Sequence, residues 1–117
     1  MALHLTPDIL EAAYDLLRST PPFNRWKLPE GEDVAFMVAA NPAFLGEYQW
    51  EGEHHRISIS VRWSAQLTTL LPIMAHEMLH LYQRVAGTEN KNQHNAQFRR
   101  LSATVCKYHG FDPRAFC

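Results

Sequence analysis

Hydrophobic and polar positions change their period twice along this chain of 117 residues. In the first stretch Ile9, Ala13, Leu16 and Leu17 recur at the spacing of one helical face. Thr6-Pro7-Asp8 just before them is a helix start: a hydroxyl to cap, a proline whose missing N–H costs little at the first position, and an acid near the positive end of the helix. The pattern predicts a helix over 7–19, ended by Pro21-Pro22, and a loop over 20–32. Three strand-like runs follow. Residues 34–39 are short and apolar, and Asn41-Pro42 breaks them. Residues 44–50 contain Gly46, a candidate bulge, and Glu51-Gly52-Glu53 after them reads as a hairpin turn. Over 55–63, Ile57, Ile59 and Val61 alternate with Ser58, Ser60 and Arg62, which suits an antiparallel sheet covered on one side.

From about 68 to 86 the period becomes helical. Pro72 is expected in the first turn of this helix, and Gly87 is a good residue to end it. A polar loop over 90–93 leads to a last helix, from 92 or 94 to 109, closed by Gly110, with Lys107 and His109 favourable at its negative end. The tail from Phe111-Asp112-Pro113 onward reads as irregular. The order α, three β, α, α is that of an α+β fold, and the length predicts a single domain over 1–117.

Composition narrows the class. Hydrophobic residues at 46% and charged residues at 20% exclude a disordered or collagen-like chain. No window approaches about 18 consecutive apolar residues, so no membrane partner is expected, and the first ten residues lack the basic and apolar regions of a signal peptide. Cys106 and Cys117 cannot form a disulfide framework, which favours a reducing, cytoplasmic setting. Net charge is −1 overall, but −5 over 1–83 and +4 over 84–117. That asymmetry could serve a polyanion, and ordinarily it is only a solvated helix surface.

The chemistry is concentrated in His76-Glu77-Met78-Leu79-His80, an HExxH motif. Four residues of helix place both imidazoles on one face, about 40° apart, so two nitrogens can reach one ion, and Glu77 lies beside it where it can act as general base toward bound water. On a helical wheel Leu70, Leu71, Met74, Met78, Leu79, Leu81, Tyr82 and Val85 fill an apolar arc, while His76, Glu77, His80, Gln83 and Arg84 share the polar remainder. A catalytic zinc takes three protein ligands and keeps one position open. Ala86 stands where a metzincin needs its third histidine, and both cysteines lie downstream of where a deformylase-like site needs one. Three candidates remain. His94 follows a turn and opens a returning helix, Glu89 sits just past the motif helix, and His109 lies four turns or so along the last helix, where capping suits it better.

The motif with HLYQRVAG after it, a short polar loop, then His94-Asn95-Ala96-Gln97-Phe98 resembles the SprT-like zinc metallopeptidases, which include the core of the Spartan and Wss-type DNA–protein crosslink proteases. The resemblance covers roughly residues 9–112. It implies a zincin-like minimal metalloprotease core: one N-terminal helix, a three-stranded antiparallel or mixed sheet, the HExxH helix and a C-terminal helix carrying the third ligand. It also implies His76, His80 and His94 as ligands of one Zn²⁺ per chain, and Glu77 as the catalytic acid/base. Asn95 stands where many members have glycine, and no cysteine-rich zinc ribbon or separate DNA-binding module is expected. The implied activity is a zinc-dependent endopeptidase, with DNA-associated protein as a substrate and nucleic acid as a further partner; pairing of substrate with a strand edge predicts broad specificity toward unfolded protein, and a monomer is expected. The competing reading is a zinc-binding interaction module whose catalysis is lost or gated by a partner.

Other residues have blander readings. Trp26, Trp50, Trp63, Phe23, Phe36 and Phe44 suit a core better than a groove, and adjacent His54 and His55 face opposite sides of a strand. Cys106 suits a buried helix face, and Arg99 and Arg100 a surface. Tyr82 and Tyr108 could stabilise a transition state, with no spacing to choose between them. The strand over 55–62 is expected to lie along the substrate cleft, where an extended chain could pair with its edge.

Overall fold

A computed structural model describes residues 4–40, 43–61 and 66–116. Its first helix, α1 (Pro7–Arg18), starts where the cap motif places it: the Thr6 hydroxyl accepts from the Ile9 N–H at 3.2 Å. The buried face is Leu10, Ala13, Tyr14 and Leu17, whereas Ile9 and Leu16 face outward. The apolar spacing is ambiguous here because two adjacent stripes satisfy it, and tertiary packing selects the one bearing Tyr14. The loop after α1 holds two short 3₁₀ turns, Phe23–Arg25 and Gly31–Asp33, and is tied back to α1 by Asp15, whose Oδ1 accepts from the Gly31 N–H at 3.0 Å.

Strands β1 (Val34–Ala39), β2 (Gly46–Glu51) and β3 (His54–Ser60) form one mixed sheet in the order β1-β3-β2. β3 pairs parallel with β1 and antiparallel with β2. This central place explains why Ser58 and Ser60 are buried as well as Ile57 and Ile59, against the expectation of one covered face. Val61 is exposed, and Arg62 and Trp63 lie outside the described residues. Both edges of β3 are taken, so the cleft cannot run along 55–62 as expected. The strand that borders the motif helix is β2, which among the described residues pairs with β3 alone.

The motif helix α2 (Leu67–Ala86) packs on α1 and on the sheet through Leu70, Met74, Met78 and Leu81, all fully buried. Pro72 is the sixth residue of α2 and not in its first turn. Leu70 N–H bonds the Gln66 carbonyl at 2.8 Å, so the helix begins earlier. The carbonyl that Pro72 leaves without a helical donor belongs to Thr68, an exposed residue. Gly87, at φ 73°, ends α2 in the left-handed conformation that a glycine adopts without strain. Helix α3 (Ala96–His109) returns across α2 and buries Phe98, Val105 and Cys106. The tail forms a short helix where irregular chain was expected, α4 (Pro113–Phe116), which packs against α2 and α3. No helix among the described residues is long and apolar enough to cross a membrane.

Tyr14 ties α1 to the loop beneath the sheet. It is fully buried, and its hydroxyl donates to the Pro29 carbonyl at 2.6 Å. Burial raises its pKa, so the phenol stays a donor. Tyr14→Phe is expected to cost about 1 kcal/mol, read as a lower denaturant midpoint with unchanged slope.

Candidate metal centre

His76 and His80 stand one turn apart on α2, with ring centroids 5.0 Å apart. The Phe116 carbonyl in α4 accepts from His76 Nδ1 at 2.7 Å. Since a carbonyl can only accept, the proton lies on Nδ1 and His76 Nε2 keeps a bare lone pair. That nitrogen lies 3.3 Å from His80 Nε2. His94 joins them from the loop before α3, and one nitrogen from each of the three rings lies within 4.8 Å of the others. Phe98 floors the cluster. Fully buried, its ring stacks on His80 and on His94 at 4.6 Å each and meets His76 edge-on at 5.1 Å.

The third histidine is not in α3 but one residue ahead of its cap. Asn95 caps the helix, its Oδ1 accepting from Phe98 N–H at 2.9 Å. That is what this asparagine does at a position where a glycine would leave the donor unmet. Gln83, only 2% exposed, donates from Nε2 to Asn95 Oδ1 at 3.0 Å and to Gln97 Oε1 at 2.8 Å. The His94 backbone is held on both sides, its N–H by Asn92 Oδ1 at 3.1 Å and its carbonyl by Arg99 at 2.9 Å. The wheel put Gln83 and Glu77 on a polar stripe, yet both are buried. The stripe faces an interior cleft between α2, β2 and the loop before α3.

Glu77 is 5% exposed beneath Gly46 of β2. A Cβ at Gly46 would come within 2.9 Å of Ile73 Cγ2 and 3.1 Å of Glu77 Cγ and Oε2, so the absent side chain is the room in which this carboxyl sits. Burial, with Glu47 second, pushes Glu77 up to about 8. Burial likewise lowers His76, and lowers His80 to about 3, the neighbouring histidines adding to it. The cleft, about 840 Å³, runs from Gly46 along Tyr48 and Trp50 to Glu89 and Lys91, with the ring cluster on its floor.

The donors fit a metal ion. Metal binding needs neutral imidazoles, which burial enforces here for His76 and His80. Two imidazole nitrogens on one tetrahedral Zn²⁺, at about 2.0–2.1 Å each, stand about 3.3–3.4 Å apart. His76 and His80 hold theirs at 3.3 Å. A hydrogen bond between the two rings also suits this separation, but it leaves the approach of His94 without a cause.

The other candidates lie elsewhere. His109 bonds Thr20 Oγ1 at 3.1 Å and stacks on Phe111, and Glu89 pairs with Arg84 at 2.7 Å on the cleft rim. His55 bonds the Tyr48 hydroxyl at 2.7 Å, while His54 is exposed; among the described residues neither joins a metal-capable group. Tyr82 packs on Trp26, Tyr108 points to solvent, and Arg100 is exposed. Phe23 is in the core and Trp26, Phe36 and Phe44 are partly buried. Trp50, by contrast, is 46% exposed on the cleft under the Arg84 guanidinium, 4.6 Å from its ring. Tyr48, Gln83 and the Phe116 carbonyl were not singled out from sequence. Nothing in their spacing relates them to the motif, apart from Gln83 lying one turn past His80.

The SprT-like family profile matches residues 23–115, which takes in the sheet, the histidine cluster and α3. No curated protein matches the chain. Helix α1 precedes the matched segment, yet Leu10, Tyr14 and Leu17 belong to the same hydrophobic core.

Gln83 couples α2 to the start of α3. Gln83→Leu is expected to cost about 1–3 kcal/mol, because Gln97 loses its buried donor and the Asn95 Oδ1 keeps only the Phe98 N–H. Chemical denaturation should show it together with faster amide exchange at Phe98.

Proposed function

Because the chain belongs to the SprT-like family, we propose that it is a zinc-dependent endopeptidase in which His76, His80 and His94 hold the metal and Glu77 is the general base. The observation that carries the reading is the convergence of three ring nitrogens within 4.8 Å beside a buried carboxyl, on the floor of a cleft. A closed structural zinc site has four protein ligands. Among the described residues this cluster offers three, which favours catalysis over a purely structural module. Zn²⁺ there would polarise the scissile carbonyl and bring the pKa of water toward about 7.

The chain's own groups supply the rest. Glu77, buried beside the ring cluster and lining the cleft, is placed within reach of the reacting groups, where its carboxylate can take up and return a proton. It takes a proton from the attacking water as the water oxygen joins the carbonyl carbon, and it delivers that proton to the nitrogen as the C–N bond breaks. The Phe116 carbonyl fixes the His76 ring so that Nε2 faces the cleft. Phe98 excludes water from beneath the rings. An extended substrate adds to the edge of β2 through backbone bonds, which demand little of its sequence and suit unfolded protein.

Metal analysis of protein purified without chelator should find about one zinc per chain in the parent and weaker retention in His94→Ala. Glu77→Gln should keep the zinc and lose about 10²-fold or more of peptide hydrolysis. Hydrolysis at the parental rate by Glu77→Gln would overturn the mechanism.

A further inference from the structure

Beside the cleft lies a second, smaller cavity of about 240 Å³. Its walls are Leu45, Pro72, Ile73 and Phe116, and it meets the cleft at Gly46, His76 and Glu77. Resting on the peptidase reading above, we propose that this cavity is a specificity pocket. It receives the side chain of the substrate residue whose nitrogen is released, and it selects an apolar one.

Position argues first. The cavity touches Glu77 and His76 but neither His80 nor His94, so it opens on the Glu77 side of the cluster. Glu77 hands its proton to the leaving nitrogen, so the residue carrying that nitrogen lies on this side. Strand direction agrees. β2 runs from Gly46 at the cavity to Glu51 beyond Trp50. A substrate added antiparallel to it has its N-terminal half along Tyr48 and Trp50 and its C-terminal half at Gly46. The side on which Glu77 stands, together with antiparallel addition in the sense in which β2 already pairs with β3, puts the residue after the scissile bond at the cavity mouth.

Lining and size argue next. Among the described residues the titratable groups lining the cavity are His76 and Glu77 themselves. A charged substrate side chain would find no partner there beyond the groups the reaction uses, and burying it would be costly. Leu45 is 50% exposed at the mouth, an apolar surface without an evident core role, while the Phe116 wall is 4% exposed. Pockets for whole ligands span about 300–1,000 Å³. The 840 Å³ cleft is in that range and the 240 Å³ cavity is below it, so it admits one side chain. Gly46 keeps the passage open, because a Cβ there would stand 2.9 Å from Ile73 and 3.1 Å from Glu77.

Zinc-loaded protein is incubated with a peptide library of mixed sequence, and the new N-termini are identified by mass spectrometry. Leu, Ile, Met and Phe should be enriched about tenfold as the first residue of the released fragments. Leu45→Lys, at an exposed position that folding tolerates, should shift that preference toward Asp and Glu and leave the residue before the bond unaffected. A second readout needs no turnover: a peptide hydroxamate bearing a leucine side chain next to its metal-binding group should bind the parent about tenfold more tightly than its aspartate counterpart, and Leu45→Lys should narrow or reverse the ratio. Cleavage without apolar preference at this position, or a preference untouched by Leu45→Lys, overturns the pocket and leaves the peptidase reading standing. Zinc-loaded parent that cleaves nothing and binds neither hydroxamate overturns both.

Discussion

The packing of one phenyl ring against three imidazoles is the contact on which the rest of this site depends. Phe98 is fully buried at the crossing of α2 and α3, and its ring touches His76, His80 and His94. Two of those histidines belong to α2 and are held together by helix geometry. The third belongs to a loop and has no such constraint. Seating Phe98 brings the start of α3 against α2, and the part-buried Gln83–Asn95 bond locks that approach with a polar contact. Hydrophobic packing supplies the attraction and the buried amide supplies the register.

The electrostatics follow from the same burial. Burial is the main cause and the neighbouring groups act in the same direction, so His80 is driven down and Glu77 up. Imidazoles kept neutral by burial, as at His76 and His80, present the lone pairs that metal binding requires. Two small features hold these groups in place. The Phe116 carbonyl, from the last turn of the chain's described residues, decides the His76 tautomer. Gly46, on the facing strand, leaves the space that Glu77 fills. Both act by position and not by reactivity.

Much of the fold is legible in the residues that carry strong local signals. Thr6-Pro7-Asp8 marks the start of α1, Gly87 and Gly110 mark the ends of α2 and α3, and the apolar run of β1 has the bounds its pattern predicts. The errors lie where a local signal is degenerate. Ile9 and Leu16 fit a helical stripe as well as Leu10 and Tyr14 do, and only the neighbouring sheet and α2 select between them. The alternation in β3 is that of a half-covered strand, but its central position buries its serines too. Local sequence puts Pro72 in the first turn, yet α2 starts at Leu67 and Pro72 lies in its second turn, above the exposed residue Thr68.

The candidate site divides along the same line. Sequence alone determined His76, Glu77 and His80 as a unit, since a helix of 3.6 residues per turn leaves no other arrangement of that spacing. It also limited the third ligand to His94, Glu89 and His109, with a turn and a returning helix bringing His94 back toward the pair. Tertiary structure alone decided which strand borders the cleft, since strand order depends on long-range pairing that periodicity does not encode. It alone brought Phe116 onto His76 across 40 residues, Gly46 onto Glu77 across 31, and Gln83 into the interior. Each of those contacts joins elements far apart in the chain, and a pattern read along the chain records what a residue is next to in sequence, not what folding sets against it.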